Sequence, residues 1–259
     1  MYRSASVKIF DGYAKLYDLF YQHKDYEAEI SFIQKIINQH RETALKNILD
    51  LGCGTGGHAL PLADLGYQIT GVDISGRMIE QAQKKASESN LPVDFLLGDI
   101  RSIDLQKTFD AVISMFAVMG YQTSNDDFYA ALRVARKHLT PGGLFVFDTW
   151  FGPAVLHERP ETRVREIADG KERVIRIASP ELDPLANIIT VNYTILRLME
   201  SRVVDEIRES HPMRFFFAPE VAFFAQHADF KVETICPFLN ADRIPDDRDW
   251  NVTWVLRAV

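Results

Sequence analysis

A doubly wound α/β sheet carrying an inserted antiparallel β cap is the fold this sequence predicts, and three observations predict it. Between Asn47 and Asp148, short apolar runs alternate with amphipathic stretches across turns of a few residues. From Arg163 to Phe217 the alternation changes to period two, the mark of half-buried antiparallel strands. Two last apolar runs, Lys231–Cys236 and Asn251–Ala258, can complete the first sheet.

The elements follow in order. Residues 1–45 read as helical, with Ile30, Ile33, Ile36 and Ile37 on one face and an aromatic cluster of Tyr13, Tyr17, Phe20 and Tyr21 ahead of it. Asn47–Leu51 is a first strand running into glycines. His58–Leu65 is a helix stopped by Gly66, and Gln68–Val72 a second strand ending at Asp73. Gly76–Ser89 is a helix, Val93–Leu97 a third strand ending at Gly98-Asp99, and Asp110–Met115 a fourth. A helix over Asp126–His138 is closed by Pro141-Gly142-Gly143 before the fifth strand, Leu144–Asp148. In the cap, Asp169-Gly170 and Asp183-Pro184 separate three or four strands, and Pro219–His227 returns to helix. The expected organisation is a helical lid (1–45), a sheet domain (46–157 and 218–259) and a β cap (158–217).

Composition narrows the class. With 259 residues, 47% apolar and 25% charged, the chain can bury a large core, which excludes disorder, collagen and coiled coil. Two cysteines, Cys53 and Cys236, build no disulfide framework, and no Cys/His cluster has zinc spacing, so no metal is expected. Lys+Arg total 29 against 36 Asp+Glu, a formal charge of −7 with no basic run, which speaks against nucleic acid. No stretch is apolar and long enough for a membrane span or a signal peptide. The expected address is the cytoplasm. Exposed strand edges on the cap would invite a homodimer.

The residues from Gly52 to Gly57 put four glycines in six positions between the first strand and the first helix. So few Cβ atoms let a ligand touch the backbone, whose N–H groups are expected to point outward. The loop satisfies G-x-G-x-x-G, so a nicotinamide dinucleotide must be weighed. Asp73 does not discriminate, since a carboxylate there can hold a ribose diol in either case. Asp50 does: a carboxylate just before the glycines suits an ammonium group and repels a pyrophosphate. Asp99 ends the third strand where it can meet an adenine amino group. Ammonium, ribose and adenine contacts on successive strand ends describe S-adenosylmethionine better than NAD.

Leu49-Asp50-Leu51-Gly52-Cys53-Gly54-Thr55-Gly56, then Gly71-Val72-Asp73-Ile74-Ser75 and Gly98-Asp99-Ile100, resemble the class I S-adenosylmethionine-dependent methyltransferases over roughly residues 45–150. The resemblance implies that Gly52, Cys53, Gly54 and Gly56 run along the methionine part, with Asp73 and Ile74 at the ribose and Asp99 with Ile100 at the adenine. It also implies cofactor contacts from Met78 and Met115, Met78 reading equally as a core methionine. Cys53 reads as a small loop residue and His58 as a surface or packing histidine, neither as a catalytic group.

The acceptor side starts at Ser114-Met115-Phe116-Ala117-Val118-Met119-Gly120-Tyr121. It lacks the Asn/Asp-Pro-Pro-Tyr/Phe clamp of methyltransferases acting on base amines or protein amides. Together with Leu16-Tyr17-Asp18-Leu19-Phe20-Tyr21, Lys24-Asp25-Tyr26-Glu27-Ala28-Glu29 and Ser210-His211-Pro212-Met213-Arg214-Phe215-Phe216, it resembles bacterial N-methyltransferases of nucleotide-linked amino sugars. Tyr17 and Tyr21, four apart on one helical face, either close over a sulfonium or dock the N-terminal helix. Tyr21 and His211 are the catalytic candidates, His211 as a base or as a strand-end histidine bonded to backbone. Phe116, Tyr121, His211 and Arg214 are the expected acceptor contacts, Arg214 for an anionic part. Arg165, Arg173 and Arg176 read as a solvated strand face. The expected function is N-methylation of a nucleotide-linked amino sugar. An O-methyltransferase of another small metabolite is the alternative, ahead of an NAD-dependent oxidoreductase or a non-catalytic cofactor-binding regulator.

Overall fold

The computed structural model describes residues 19–21, 24–40, 45–169 and 172–259. Tyr13, Tyr17 and the Gly170 turn position lie outside the described residues.

One mixed sheet carries strands β1 (Asn47–Leu51), β2 (Gln68–Asp73), β3 (Val93–Leu97), β4 (Phe109–Ser114), β5 (Leu139–Trp150), β10 (Phe230–Pro237) and β11 (Asn251–Ala258), in the order β3-β2-β1-β4-β5-β11-β10. The first five run parallel, and β11 lies antiparallel to both β5 and β10. Helices α1 (Tyr26–His40), α2 (Ala59–Asp64) and α3 (Gly76–Glu88) cover one face, and α4 (Asn125–Lys137) and α6 (Ala218–His227) the other. This is the doubly wound sheet the alternation predicts. The period of two sorts each strand between the faces. Ile48, Ala111, Ile113, Val146 and Val255 pack with the isoleucines of α1, whereas Leu49, Val112, Phe145, Phe147 and Trp254 pack with Phe128 and Leu132 of α4. By the same parity Asp50, Met115 and Asp148 follow Ile48, Ile113 and Val146 onto the α1 face.

Local chemistry sets the helix starts. Ser75 Oγ accepts from Met78 N, and Ser124 Oγ accepts from Asp127 N at 3.1 Å. In α4, Asp126 and Asp127 sit in the first turn and Arg136 and Lys137 in the last, matching the helix dipole. One boundary differs from expectation. Pro141-Gly142-Gly143 lies inside β5 as a bulge, because Leu139 already pairs with Phe109 before Leu144 pairs with Ala111. The short helix α5 (Gly152–His157) and a 3₁₀ turn over Val118–Tyr121 were not expected.

A separate antiparallel sheet, β6 (Arg163–Asp169), β7 (Glu172–Asp183), β8 (Ile188–Met199) and β9 (Arg202–Arg214), follows in sequence order. It stands over the carboxyl ends of the parallel strands. A Phe151–Phe216 bridge joins the two regions, and Phe20, from the helical residues 19–21, is buried against Val174 and Ile195. Its edge strands β6 and β9 expose Val164, Val203 and Val204. Among the described residues, no helix is long and apolar enough to cross a membrane.

Candidate active site

The glycine turn reverses the chain between β1 and α2 with positive φ at Gly52 (+82°), Gly54 (+54°) and Gly56 (+84°). A Cβ on Gly52 would sit 2.4 Å from Val118 Cγ1, whereas one on Gly54 would meet nothing within 4 Å. The backbone amides do not point outward as expected. Gly52 N and Cys53 N donate to Val72 O at 2.7 and 3.0 Å, Gly54 N to Asp73 Oδ2 at 2.9 Å, and Gly56 N to Cys53 O at 2.9 Å. These four donors are spent internally, so along Gly52–Gly56 they are not offered to a ligand.

The carboxylates beside the turn are unequally satisfied. Asp50 is 1% exposed, and its Oδ2 has no hydrogen-bond partner among the described residues. Burial, then the nearby charge of Asp73, pushes its carboxyl up to about 7. A buried anion without a partner is costly, so this group is built to meet a cation. Burial also raises Asp73, against the amides of Ser75 and Gly54, which donate to its two oxygens at 2.8 and 2.9 Å. Each oxygen keeps a second lone pair for a diol. Ile74, beside it, is 64% exposed and offers an apolar wall. Cys53 is buried, and burial with the fields of Asp50 and Asp73 holds its thiol well above its ordinary range, leaving it inert.

Four expected cofactor side chains are paired or buried. Asp99 is held by Arg101, whose Nε and Nη2 donate to its two oxygens at 2.9 and 2.6 Å, and that pairing keeps its carboxyl below the usual range. It presents no free acceptor to an adenine while Arg101 stays in place. Ile100 and Met115 have their side chains in the core, one on each face of the sheet. Met78 is likewise buried.

On the acceptor side, β4 ends in two consecutive residues with positive φ, Phe116 (+71°) and Ala117 (+56°). Ala117 N donates to both oxygens of Asp148, each at 3.0 Å. Asp148 is buried on β5, and burial, opposed by that amide, pushes its carboxyl up to about 6. Tyr21 meets the Phe116 ring edge-on at 5.0 Å, and Lys24 Nζ lies 4.0 Å from the same ring centroid. Lys24 also pairs with Glu29 at 2.8 Å, and Glu29 with His58 Nε2 at 2.6 Å. Burial alone would raise Glu29, but His58 and Lys24 outweigh it and hold the carboxyl below its ordinary value. Burial lowers His58, so it is neutral and donates through Nε2.

From the second sheet, His211 reaches down to Tyr121. Tyr121 Oη lies 2.9 Å from His211 Nδ1, and His211 Nε2 lies 3.0 Å from Glu209 Oε2. The carboxylate assigns the proton to Nε2, so Nδ1 accepts from the tyrosine hydroxyl. His211 is 1% exposed, with the Tyr193 ring edge-on at 5.0 Å. Burial, then Tyr21, pushes the Tyr193 hydroxyl up to about 12.

A methyltransferase-domain model matches residues 48–143. Over 143 residues the chain is 34% identical to a dTDP-3-amino-3,4,6-trideoxy-alpha-D-glucopyranose N,N-dimethyltransferase of Streptomyces venezuelae, covering 54% of this chain and 58% of that one. It is 28% identical over 205 residues to a dTDP-3-amino-3,6-dideoxy-alpha-D-glucopyranose N,N-dimethyltransferase of Streptomyces fradiae, covering 78% and 77%. A solved S-adenosylmethionine-dependent methyltransferase from Clostridium acetobutylicum shares the fold, with a TM-score of 0.80, 18% identity and 96% and 98% of the two chains covered. Residues 48–143 thus match a methyltransferase domain, and the chain shares its fold with a solved methyltransferase. The match to the Streptomyces venezuelae enzyme spans less than two thirds of that enzyme's length.

The structure brings Tyr21, Phe116, Tyr121 and His211 to one side of the candidate site, and Asp50, Asp73 and the glycine turn to the other. It does not bring Arg214 there. Arg214 is buried, with its Nη2 donating to Glu220 Oε1 and, at 2.7 Å, to Asn125 Oδ1, so it pins α6 to α4 and has no charge to offer an acceptor. Arg176 is no solvated side chain. Its Nη1 donates to Tyr21 Oη at 3.1 Å, and its guanidinium lies 4.8 Å over Phe20 and 5.6 Å from Tyr193. Arg165 and Arg173 do face solvent. Sequence reasoning missed Lys24, Glu29, Asp148, Arg176, Tyr193 and Glu209. Lys24 and Glu29 lay in a block that carried the resemblance without being given a role, and Glu209 left a signal two residues before His211 on one strand face.

Proposed function

We propose that this chain is a methyltransferase that binds S-adenosylmethionine across the carboxyl ends of β1–β3 and methylates the amine of a nucleotide-linked amino sugar lying under the β6–β9 sheet. One observation carries the cofactor reading. Asp50, a buried carboxylate with one oxygen that has no partner among the described residues, stands beside a glycine turn whose Gly52, Cys53, Gly54 and Gly56 amides are bonded internally. That arrangement suits an ammonium on a neutral chain. Asp50 would hold the ammonium, Gly52, Gly54 and Gly56 would line the methionine part, Asp73 the ribose, and Ile74 one ring face. Tyr17 remains a proposed contact. The acceptor class rests on the likeness to the two dimethyltransferases, with Tyr21, Phe116, Tyr121 and His211 as the proposed acceptor side.

The bound cofactor supplies a sulfonium methyl carbon open to an amine lone pair. The chain's own part is to orient, to exclude water and to move one proton. Tyr21 and Phe116 wall the reacting centre. Tyr121 Oη takes the proton lost by the amine while its own hydroxyl proton passes to His211 Nδ1, and Glu209 stabilises the imidazolium. The lid (1–45), the sheet domain (46–157 and 218–259) and the cap (158–217) are the working units of this reading. The unpaired edges of β6 and β9 suit a second copy of the chain.

Mass-spectrometric turnover with TDP-, UDP- and GDP-linked amino sugars and their hydroxyl twins tests it. One or two methyl masses gained on an amino sugar alone are expected. Methyl found only on the hydroxyl twin, or nowhere while S-adenosylhomocysteine still binds, discards the acceptor.

A further inference from the structure

Among the described residues, two pairs of adjacent non-glycine residues take positive φ: Glu200-Ser201 and Phe116-Ala117. The first forms the β8–β9 hairpin tip, where a two-residue turn requires it. The second closes no hairpin. It stands between β4 and the 3₁₀ turn that carries Tyr121, so something other than strand twist must hold it there.

Two sets of contacts converge on it. From below, both Asp148 oxygens accept from Ala117 N, and the Phe116 amide turns to the same carboxylate. From above, Tyr21 and Lys24 of the N-terminal segment grip the Phe116 ring. The charges of Lys24 and Glu29 both reach Asp148, so carboxylate, turn and segment share one buried environment. We propose that Asp148 is a positioning residue: it locks the Phe116–Ala117 turn in its left-handed form and so holds the Phe116 ring where Tyr21 and Lys24 pack on it, on the acceptor side. Asp148 itself touches no reacting atom in this reading.

The proposal rests on the acceptor side assigned above, and its test has an arm that needs no acceptor. Hydrogen exchange over residues 114–122 should quicken by about tenfold or more in Asp148→Asn, because the turn loses its charged clamp. With the acceptor, Asp148→Asn should lower kcat/KM roughly thirtyfold while S-adenosylhomocysteine affinity stays within about threefold. Ala117→Gly removes the left-handed penalty. Alone it should stay within about threefold of the native enzyme, and combined with Asp148→Asn it should restore at least about tenfold of the lost kcat/KM. Unchanged exchange in Asp148→Asn, or no recovery in the double variant, overturns the proposal. Should Asp148→Asn not fold, Ala117→Val strains the same turn with the carboxylate in place, and an unaltered kcat/KM there overturns it equally. If no amino sugar is methylated, the acceptor reading fails while the exchange result still decides the clamp.

Discussion

The two halves of the site are built on opposite plans. Around the glycine turn, Asp50 keeps an oxygen with no partner among the described residues and Asp73 keeps lone pairs to spare, so the polar groups are incompletely satisfied. Across from it, Asp148 is bonded to Ala117, Glu29 to Lys24 and His58, and His211 to Tyr121 and Glu209, before any acceptor arrives. The first half stores unmet electrostatic demand in a rigid sheet. The second is a set of linked side chains drawn from Tyr21–Glu29, the β4–β5 region and the β6–β9 sheet, whose geometry depends on these parts staying packed together.

The largest effect should come from overfilling the first half. Gly52→Val combines a left-handed backbone with an overlap on Val118, which together should cost about 2–4 kcal/mol and at least a hundredfold in cofactor affinity. Chemical denaturation and calorimetry with S-adenosylhomocysteine would check it. Gly54→Ala, with open space around it, should cost only about 1–2 kcal/mol of backbone strain.

Asp50→Asn sharpens the contrast through pH. The native carboxyl lies at about 7, so an ammonium must displace a proton below that value, and S-adenosylhomocysteine affinity should fall between pH 8 and pH 6. The variant should bind more weakly at pH 8, by on the order of tenfold to a hundredfold, and lose that pH dependence. Stability runs the other way. A carboxyl raised in the folded state stabilises below its unfolded pKa, and that contribution is lost as pH rises through about 7. The ligand-free native protein should therefore lose Tm between pH 5 and 8 relative to Asp50→Asn.

The second half should break more gently. Glu209→Gln and His211→Asn should each lower kcat by on the order of a hundredfold near neutral pH, with recovery at higher pH as bulk water deprotonates the amine. A loss that persists unchanged at high pH would assign the pair a structural role only. Arg176→Met should be smallest, raising the acceptor KM a few-fold for about 1 kcal/mol of lost stacking on Phe20 and Tyr21.

What was legible divides along the same line. Asp50, the glycines and Asp73 are close in sequence and sit on one βαβ unit, where strand period and turn chemistry fix side-chain direction. Asp99 shows the limit even there: its position was readable, its capture by Arg101 was not. On the acceptor side Tyr121 and His211 were each singled out, but their bond spans 90 residues. Arg214 and Arg176 were misassigned because alternation along a strand cannot say what packs over each face. Arg214 met Glu220 and Asn125, and Arg176 met the lid.

Sequence alone determined the alternating sheet, the appended antiparallel strands, the glycine turn and the acids on the strand ends, because these follow from local periodicity and backbone sterics. Only the tertiary structure decided which amides the turn spends on itself, which carboxylate is left unpartnered, and which lid and cap residues meet over Phe116 and Tyr121. Those outcomes depend on contacts between segments tens to hundreds of residues apart, whose burial and charge no local pattern encodes.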